Sequence, residues 1–150
     1  MRRFRFKFEP VLRYRRMMEE QRKLEFAQAM AVYDLALSRL NEVLKRMEDV
    51  KRELEHREEE GLTASEAQLY LRYLSLLKEI EAERREELRR AEEKMKTARE
   101  KLMESRRDKR AIEILREKEM ERFNEEFKRE ELKLIDEVSI NKMSRRGRSR

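Results

Sequence analysis

The chain has 150 residues, of which 49% are charged and 38% are apolar, and its formal net charge is +6. A globular domain is about 25% charged and about 45–50% apolar, so this composition excludes a broad hydrophobic core. The lack of cysteine excludes disulfides, and no apolar run approaches the ~18 residues of a transmembrane helix. The first ten residues are basic without an apolar stretch, so they are not expected to be a secretory signal.

Positive charge is concentrated at the two ends of the chain. Residues 1–16 contain seven Arg or Lys and one Glu, and the last seven residues contain four Arg. The middle of the chain is therefore acidic overall. Basic ends favour an acidic protein surface, an anionic membrane or a nucleic acid as partner.

The N-terminal segment, residues 1–9, contains the sequence FRFKF, in which Phe alternates with Arg and Lys. A period of two predicts an extended segment with one apolar face. This segment either folds onto the helices of the same chain or docks on a partner. Pro10 suits the first turn of a helix, where its missing N–H costs nothing, so the first helix is predicted to begin there.

Residues 10–60 are predicted to form one helix with a heptad seam. Apolar residues recur at alternating steps of four and three, with Lys51 at the one polar position of the series, at Phe26, Met30, Tyr33, Leu37, Leu40, Leu44, Met47 and Leu54. Before Phe26 the inner positions carry Leu12, Arg16, Glu19 and Lys23, so the helices there are expected either to splay or to pack on something else. A flanking stripe either widens the seam or forms a groove for a third helix or a partner, and comprises Val32, Ala36, Val43 and Val50.

A turn at residues 61–63 is predicted to separate two helices. Gly61 can adopt the left-handed conformation that ends a helix, and Thr63 with Glu66 has the spacing of a capping box. The second helix is predicted over residues 64–142, with seam residues Ala67, Tyr70, Leu74, Leu77, Leu88, Ala91, Met95, Ala98 and Leu102. Such a seam buries itself only against another helix. The predicted fold is therefore all-α, one antiparallel coiled-coil hairpin domain over residues 10–143, with facing residue numbers that add to about 124.

The second helix is predicted to be longer than the first, which leaves residues 115–142 without a partner in the chain. Apolar residues continue through this overhang, at Leu115, Met120, Phe123, Phe127, Leu132, Leu134, Ile135 and Val138. An unpaired helix of this kind is marginal in water. The overhang and the FRFKF segment are therefore predicted to be buried in another protein, or in a homodimer. Beyond them, residues 144–150, with Gly147, are predicted to form a flexible basic tail.

One region of the second helix is apolar on most sides. Tyr73, Leu77, Ile80 and Arg84 share a face at steps of four, three and four. A helix that is apolar on several sides favours more than one neighbour. The region is either a surface for a partner or bulkier packing beneath the turn.

The residue types that carry catalysis or bind metals are scarce. The chain has one histidine, His56, and a metal site or a nucleophilic triad needs several convergent groups. Glu and Asp lie at helical spacings from Lys and Arg, which is typical of surface ion pairs. We therefore expect no catalytic residue, no metal, no cofactor and no enzymatic activity.

Two stretches carry a resemblance to a known family. The opening FRFKFEPVLRYRR has spaced Phe residues, then Val11-Leu12 and arginines that lead into a charged helix. In the stretch from Leu102 onward, Arg106 and Lys109 precede the sequence EIL, and DE closes the pattern. Together these stretches resemble the FliJ family of flagellar export proteins, and the middle of the chain is similar to it as a coil with a turn.

The resemblance implies a non-enzymatic component of the flagellar type III export apparatus, cytoplasmic and peripherally associated with the inner membrane at the flagellar base. It implies an antiparallel coiled coil similar to the central stalk subunit of rotary ATPases. The free ends would insert into the hexameric ring of the export ATPase and promote its assembly. The middle would contact the export-gate membrane protein, and export chaperones would be further partners.

The resemblance and the apolar patterns together predict which residues contact the ATPase ring and the export gate. The expected contacts with the ATPase ring are Phe4, Phe6, Phe8, Val11, Leu12, Met120, Phe123, Phe127, Leu134, Ile135 and Asp136. The expected contacts with the export gate are Tyr73, Leu77, Ile80 and Arg84.

Two competing interpretations remain open. The chain could be an oligomeric coiled-coil scaffold, or a nonspecific binder of nucleic acid or membrane through its basic ends. Specific nucleic-acid recognition is not expected, because no DNA-binding motif is present. A monomer is favoured over a homodimer if the ends bind a ring.

Overall fold

The computed structural model describes residues 2–148, and Met1, Ser149 and Arg150 lie outside the described residues. Two helices make up most of the described chain, α1 (Glu9–Glu60) and α2 (Ala64–Arg148), and residues 2–148 contain no strand. The predicted all-α hairpin is confirmed. Over the same residues, neither helix has a segment long and apolar enough to cross a membrane.

The end of α2 differs from the prediction. The helix continues past residue 142 and through Gly147 to Arg148, where the sequence predicted a flexible tail. A glycine inside a helix costs only about 1 kcal/mol relative to alanine, and no proline follows to stop the helix. The remaining two residues of the predicted tail lie outside the described residues.

Helix α1 begins within one residue of its predicted start. The Glu9 N–H donates to the Phe6 carbonyl at 3.2 Å, and the Leu12 N–H donates to the Phe8 carbonyl at 3.0 Å. Glu9 places a negative charge in the first turn, where the helix dipole favours it. Pro10 then occupies an early helical position that needs no N–H donor.

The turn has the predicted chemistry. Gly61 has a φ of +102°, in the left-handed region where a side chain is strained. The Glu66 N–H donates to the Thr63 Oγ1 at 3.3 Å, and the Ala67 N–H donates to the Thr63 carbonyl at 3.0 Å. Thr63 therefore caps α2, as the spacing of Thr63 and Glu66 predicts.

The chain forms two compact units, and the first to be described comprises residues 20–104. Its core is formed by Met47, Val50 and Leu77, which are 2–6% exposed. The half-buried Tyr70 packs against this core and donates its hydroxyl to Glu53 at 3.1 Å. Glu53 faces Tyr70, and Met47 packs with Leu77, so the register in which facing numbers add to about 124 is confirmed here.

The second unit comprises the described parts of residues 1–19 and 105–150. Leu12 is fully buried in it. Glu19 is also buried, at 5% exposure, and its carboxylate lies 2.5 Å from the Lys109 Nζ and 3.9 Å from the Arg106 Nε. Nearby, Arg15 donates to Asp108 at 3.2 Å. The helices therefore stay paired where the apolar seam weakens, because opposite charges replace apolar residues between them.

We expect Gly61→Ala to lower the free energy of unfolding by about 1–2 kcal/mol, measured by urea denaturation followed by circular dichroism. A Cβ at Gly61 meets nothing within 4 Å, so the cost is backbone strain alone. Gly147→Ala is the matched control, because its Cβ is equally uncrowded and its φ is not positive. The control is expected to be neutral or slightly stabilising. An equal loss in both variants would contradict the role of the Gly61 conformation.

We expect Lys109→Met to lower the free energy of unfolding by about 2–4 kcal/mol, because it removes the nearest cation from a buried carboxylate. The double variant Glu19→Leu/Lys109→Leu should lose less than the single variant, because neither charge then remains. Lys96→Met is the control, since its pair with Glu92 at 3.4 Å is exposed and contributes about 0–1 kcal/mol. Urea denaturation of all three variants measures the differences. If Lys109→Met is as mild as the control, the buried charge does not depend on Lys109.

Candidate protein-interaction site

The N-terminal strap, residues Arg2–Phe8, precedes α1 and lies against α2. The Phe4 ring centroid is 5.7 Å from that of Phe123, with a tilt of 57° between the rings. Phe123 in turn stacks on Phe127, at 6.4 Å and 18°. Of the two possibilities for the FRFKF segment, the structure therefore shows the first, in which the segment folds onto the chain's own helices.

Charged residues hold the strap on both sides of Phe4. The Arg116 guanidinium lies 5.6 Å from the Phe4 ring centroid and donates to the Glu9 Oε2 at 3.1 Å. The Arg2 guanidinium donates to the Glu130 Oε1 at 3.0 Å. The Arg2 and Glu130 side chains are 72% and 55% exposed, so this pair contributes little to stability.

The contacts of the strap show that the part of α2 without a partner begins later than predicted. Residues 115–130 were expected to lack a partner, yet Phe123 contacts Phe4 and Glu130 pairs with Arg2. The physical reason is geometric. An extended segment advances about 3.3 Å per residue and a helix about 1.5 Å, so each strap residue spans about two residues of α2. A one-to-one count of facing residues therefore underestimates how far the strap reaches.

The predicted ring contacts fall into three groups by exposure. Phe6 and Leu12 are buried within the unit, at 7% and 0% exposure. Half-buried side chains form the aromatic cluster, Phe4, Phe123 and Phe127. The remaining predicted ring contacts are exposed, namely Phe8, Val11, Met120, Leu134, Ile135 and Asp136.

Beyond Glu130, α2 carries large apolar side chains that face solvent. We name this stretch, residues 132–143, the C-terminal apolar segment. Its exposed apolar residues, at 48–76%, are Leu132, Leu134, Ile135, Val138, Ile140 and Met143. Lys142, Arg145 and Arg148 are exposed beside them. Sequence reasoning named only the first four of these residues and missed Ile140 and Met143.

A second surface lies in the unit of residues 20–104, on the first turns of α2. Leu69, Tyr73 and Leu76 are exposed at 64%, 38% and 50%, and Ile80 is half-buried. These four residues, at steps of four, three and four, define the mid-chain face. Leu69 and Leu76 were not named as site residues from the sequence. They lie four residues before and three residues after Tyr73, a helical spacing that could have identified them.

The other predicted gate contacts have partners inside this unit. Leu77 is 5% exposed in the core, so a partner cannot reach it while the helices stay paired. Arg84 is half-buried and pairs with Glu87 at 3.2 Å. Arg46 donates to the Tyr73 hydroxyl at 3.1 Å and lies 5.7 Å from the ring centroid. This hydrogen bond raises the pKa of Arg46. The guanidinium is charged in any case, and the bond holds that charge beside the mid-chain face.

The flanking stripe on α1 is divided between the core and the surface. Ala36 and Val50 are buried, whereas Val32 is 56% exposed. Val32, Leu35, Ala36 and Ala91 line a shallow groove between α1 and α2. The stripe therefore both widens the seam and borders a groove, so the two possibilities are not exclusive.

Among residues 2–148, no group of three His, Cys, Asp or Glu side chains is arranged to hold a metal ion. His56 is 70% exposed, and its Nε2 lies 3.3 Å from Glu60 one helical turn later. The surfaces described above are apolar and charged, which suits binding to other proteins.

The fold and these surfaces agree with a family assignment. The family model described as Flagellar FliJ protein matches residues 4–148, which include both helices and most of the strap. No curated protein and no solved structure matches the chain. The resemblance at the two ends of the sequence is thus confirmed over nearly the whole chain. This chain belongs to the FliJ family and is a component of the flagellar export apparatus.

Proposed function

We propose that the chain is a non-enzymatic stalk that inserts its strap-bearing end into the hexameric ring of the flagellar export ATPase and promotes ring assembly and activity. The observation that carries this proposal is the C-terminal apolar segment, six large apolar side chains on one helix at 48–76% exposure. Removing apolar surface from water favours association with a partner. An exposed set of this size therefore favours burial in a partner.

The arrangement of these side chains supports a ring as the partner. At 100° per residue, Leu132, Leu134, Ile135 and Ile140 point in different directions around α2. A single flat surface would cover only some of them, whereas the lumen of a ring surrounds the helix. The exposed Lys142, Arg145 and Arg148 fit acidic groups in such a lumen.

The mid-chain face is the proposed contact with the export gate. Leu69, Tyr73 and Leu76 present exposed apolar area beside the fixed charge of Arg46. A binding surface with an aromatic side chain and an Arg beside it has the composition of a protein interface centre. Through this contact the chain would lie at the inner membrane, as a peripheral protein on the cytoplasmic side. Export chaperones complete the proposed set of partners, on the strength of the family alone.

A monomer is the proposed state in the absence of the ring. The strap covers in the same chain part of the aromatic surface that a homodimer would otherwise cover. A stable dimer of the free chain, seen by light scattering, would favour an oligomeric scaffold instead.

We expect Leu134→Ser/Ile135→Ser/Val138→Ser to raise the concentration needed for half-maximal stimulation of the export ATPase at least tenfold. Burial of each side chain contributes about 1.5–3 kcal/mol, so losing three exceeds the ~1.4 kcal/mol that a tenfold change requires. The measurement is ATP hydrolysis against stalk concentration. Leu69→Ser/Leu76→Ser is the matched control, since it removes equally exposed leucines outside this segment and should stimulate normally. Equal stimulation by both variants would refute the role of the segment.

We expect Leu69→Ser/Tyr73→Ala/Leu76→Ser to weaken binding to the cytoplasmic domain of the export gate at least tenfold, measured by calorimetry. Tyr and its apolar neighbours at an interface centre account for much of the binding energy. Substitution at Leu77 is avoided because it would disturb the core. The C-terminal triple variant is the reciprocal control and should bind the gate normally. Unchanged gate binding by the mid-chain variant would place the gate contact elsewhere.

A further inference from the structure

The strap is attached unequally along its length. Phe6 is 7% exposed and packs edge-on against Phe8 at 5.9 Å, next to the first turn of α1. Towards the N-terminus, the contacts with α2 are made by side chains, through the Phe4 ring and the exposed Arg2–Glu130 pair. Residues 2–6 belong to neither a helix nor a strand. The strap is therefore fixed at the buried Phe6, while its N-terminal part is held only by the half-buried Phe4 ring and the exposed Arg2–Glu130 pair.

The surface under the strap has a defined chemistry. The Phe123 and Phe127 rings are stacked, with Arg116 on the N-terminal side along α2 and Glu130 on the C-terminal side. We name these four residues the covered face. Its resident ligand shows what the face accepts, namely an aromatic ring on Phe123 and a cation on Glu130, presented by an extended segment. The covered face also continues directly into the C-terminal apolar segment along the same helix.

We propose that the covered face is a binding site for an extended aromatic and basic segment of the ATPase ring, and that the strap occupies this site until the ring displaces it. This inference rests on the proposed function. Because one aromatic face cannot hold two rings in the same position, the strap and the incoming segment compete. The free chain therefore keeps its aromatic surface covered by the strap, and on insertion the segment of the ring takes the place of the strap.

The absence of cysteine allows a direct test by closing the strap. In Arg2→Cys/Glu130→Cys, a bis-maleimide with a reducible spacer links the strap to α2 across the position of the natural ion pair. The linked protein is expected to stimulate the ATPase at least fivefold less at a fixed concentration, and reduction of the spacer should restore stimulation. Glu92→Cys/Lys96→Cys, linked in the same way within α2, is the control and should stimulate normally. Full stimulation by the linked strap variant would overturn the proposal.

Opening the strap should have the opposite effect. Phe4→Ala removes the ring that covers Phe123 and is expected to lower the concentration for half-maximal stimulation about threefold to tenfold. A rise in that concentration would show instead that Phe4 itself contacts the ring, and would also overturn the proposal. If unsubstituted protein does not stimulate the ATPase at all, the proposed function fails, which is distinguishable from failure of the strap alone.

A measurement without the ATPase tests the covered face itself. A labelled peptide with the sequence of residues 2–9, RRFRFKFE, serves as the probe in fluorescence anisotropy. The Phe4→Ala protein should bind this peptide at least tenfold more tightly than the unsubstituted protein, whose face is occupied. Phe4→Ala/Phe123→Ala should lose the gain, because the aromatic partner is gone. Equal binding by all three proteins would show that the face accepts no such segment.

Discussion

The structure depends on one constraint, which is that the heptad seam of each helix can be buried only against the seam of the other helix. Met47, Val50 and Leu77 show the result, a core one layer thick between α1 and α2. Such a core needs few apolar residues, which is why a chain with 49% charged residues folds. It also makes register critical, because a shift of one helix along the other would place charges in the seam. The left-handed Gly61 and the Thr63 cap set that register at the turn.

Where the apolar seam is interrupted, ion pairs between α1 and α2 keep the two helices together. Glu19 is almost fully buried, and both Lys109 and Arg106 reach it from the facing helix. A buried ion pair of this kind adds little net stability compared with apolar packing, but it penalises every register that separates the charges. Arg15 with Asp108 and Glu9 with Arg116 pair across the same two helices. In this unit, specificity therefore comes from complementary charge as much as from shape.

Surface charges along the middle of α2 act differently. Glu86 accepts hydrogen bonds from Arg89 and Arg90 on its own helix, and the bond from Arg89 lowers the pKa of Glu86 to about 2. Its native pKa lies below the ordinary value, so any stabilisation from this carboxylate is present above about pH 4.5 and is lost as the pH falls towards 2. These exposed pairs stabilise α2 locally, and they do not determine how α2 pairs with α1.

Exposure separates the proposed binding surfaces from the residues that hold the fold. In the mid-chain face and the C-terminal apolar segment, Leu69, Leu76 and Leu134 are at least half exposed, so substituting them is expected to change binding without removing core packing. Phe6 and Leu12 are also large apolar residues, but they lie in the core. The strap lies between these cases. Its Phe6 is buried, whereas its Phe4 ring covers the aromatic face of α2 and decides whether that face is open.

The heptad spacing, Gly61 and the Thr63–Glu66 pair were enough by themselves to predict two paired helices, the turn and the register, because a periodic stripe and a cap are local properties of the chain. The two terminal stretches were enough to indicate the FliJ family. Three features were decided only by the tertiary structure. Leu77 was expected both in the seam and at the export gate, and only its burial in the core decides between them, because exposure depends on where the facing helix lies. Glu19 is buried beside two cations, and its heptad position alone does not show whether such a charged residue is buried or exposed. The strap reaches Glu130, because an extended chain advances about twice as far per residue as the helix that it follows.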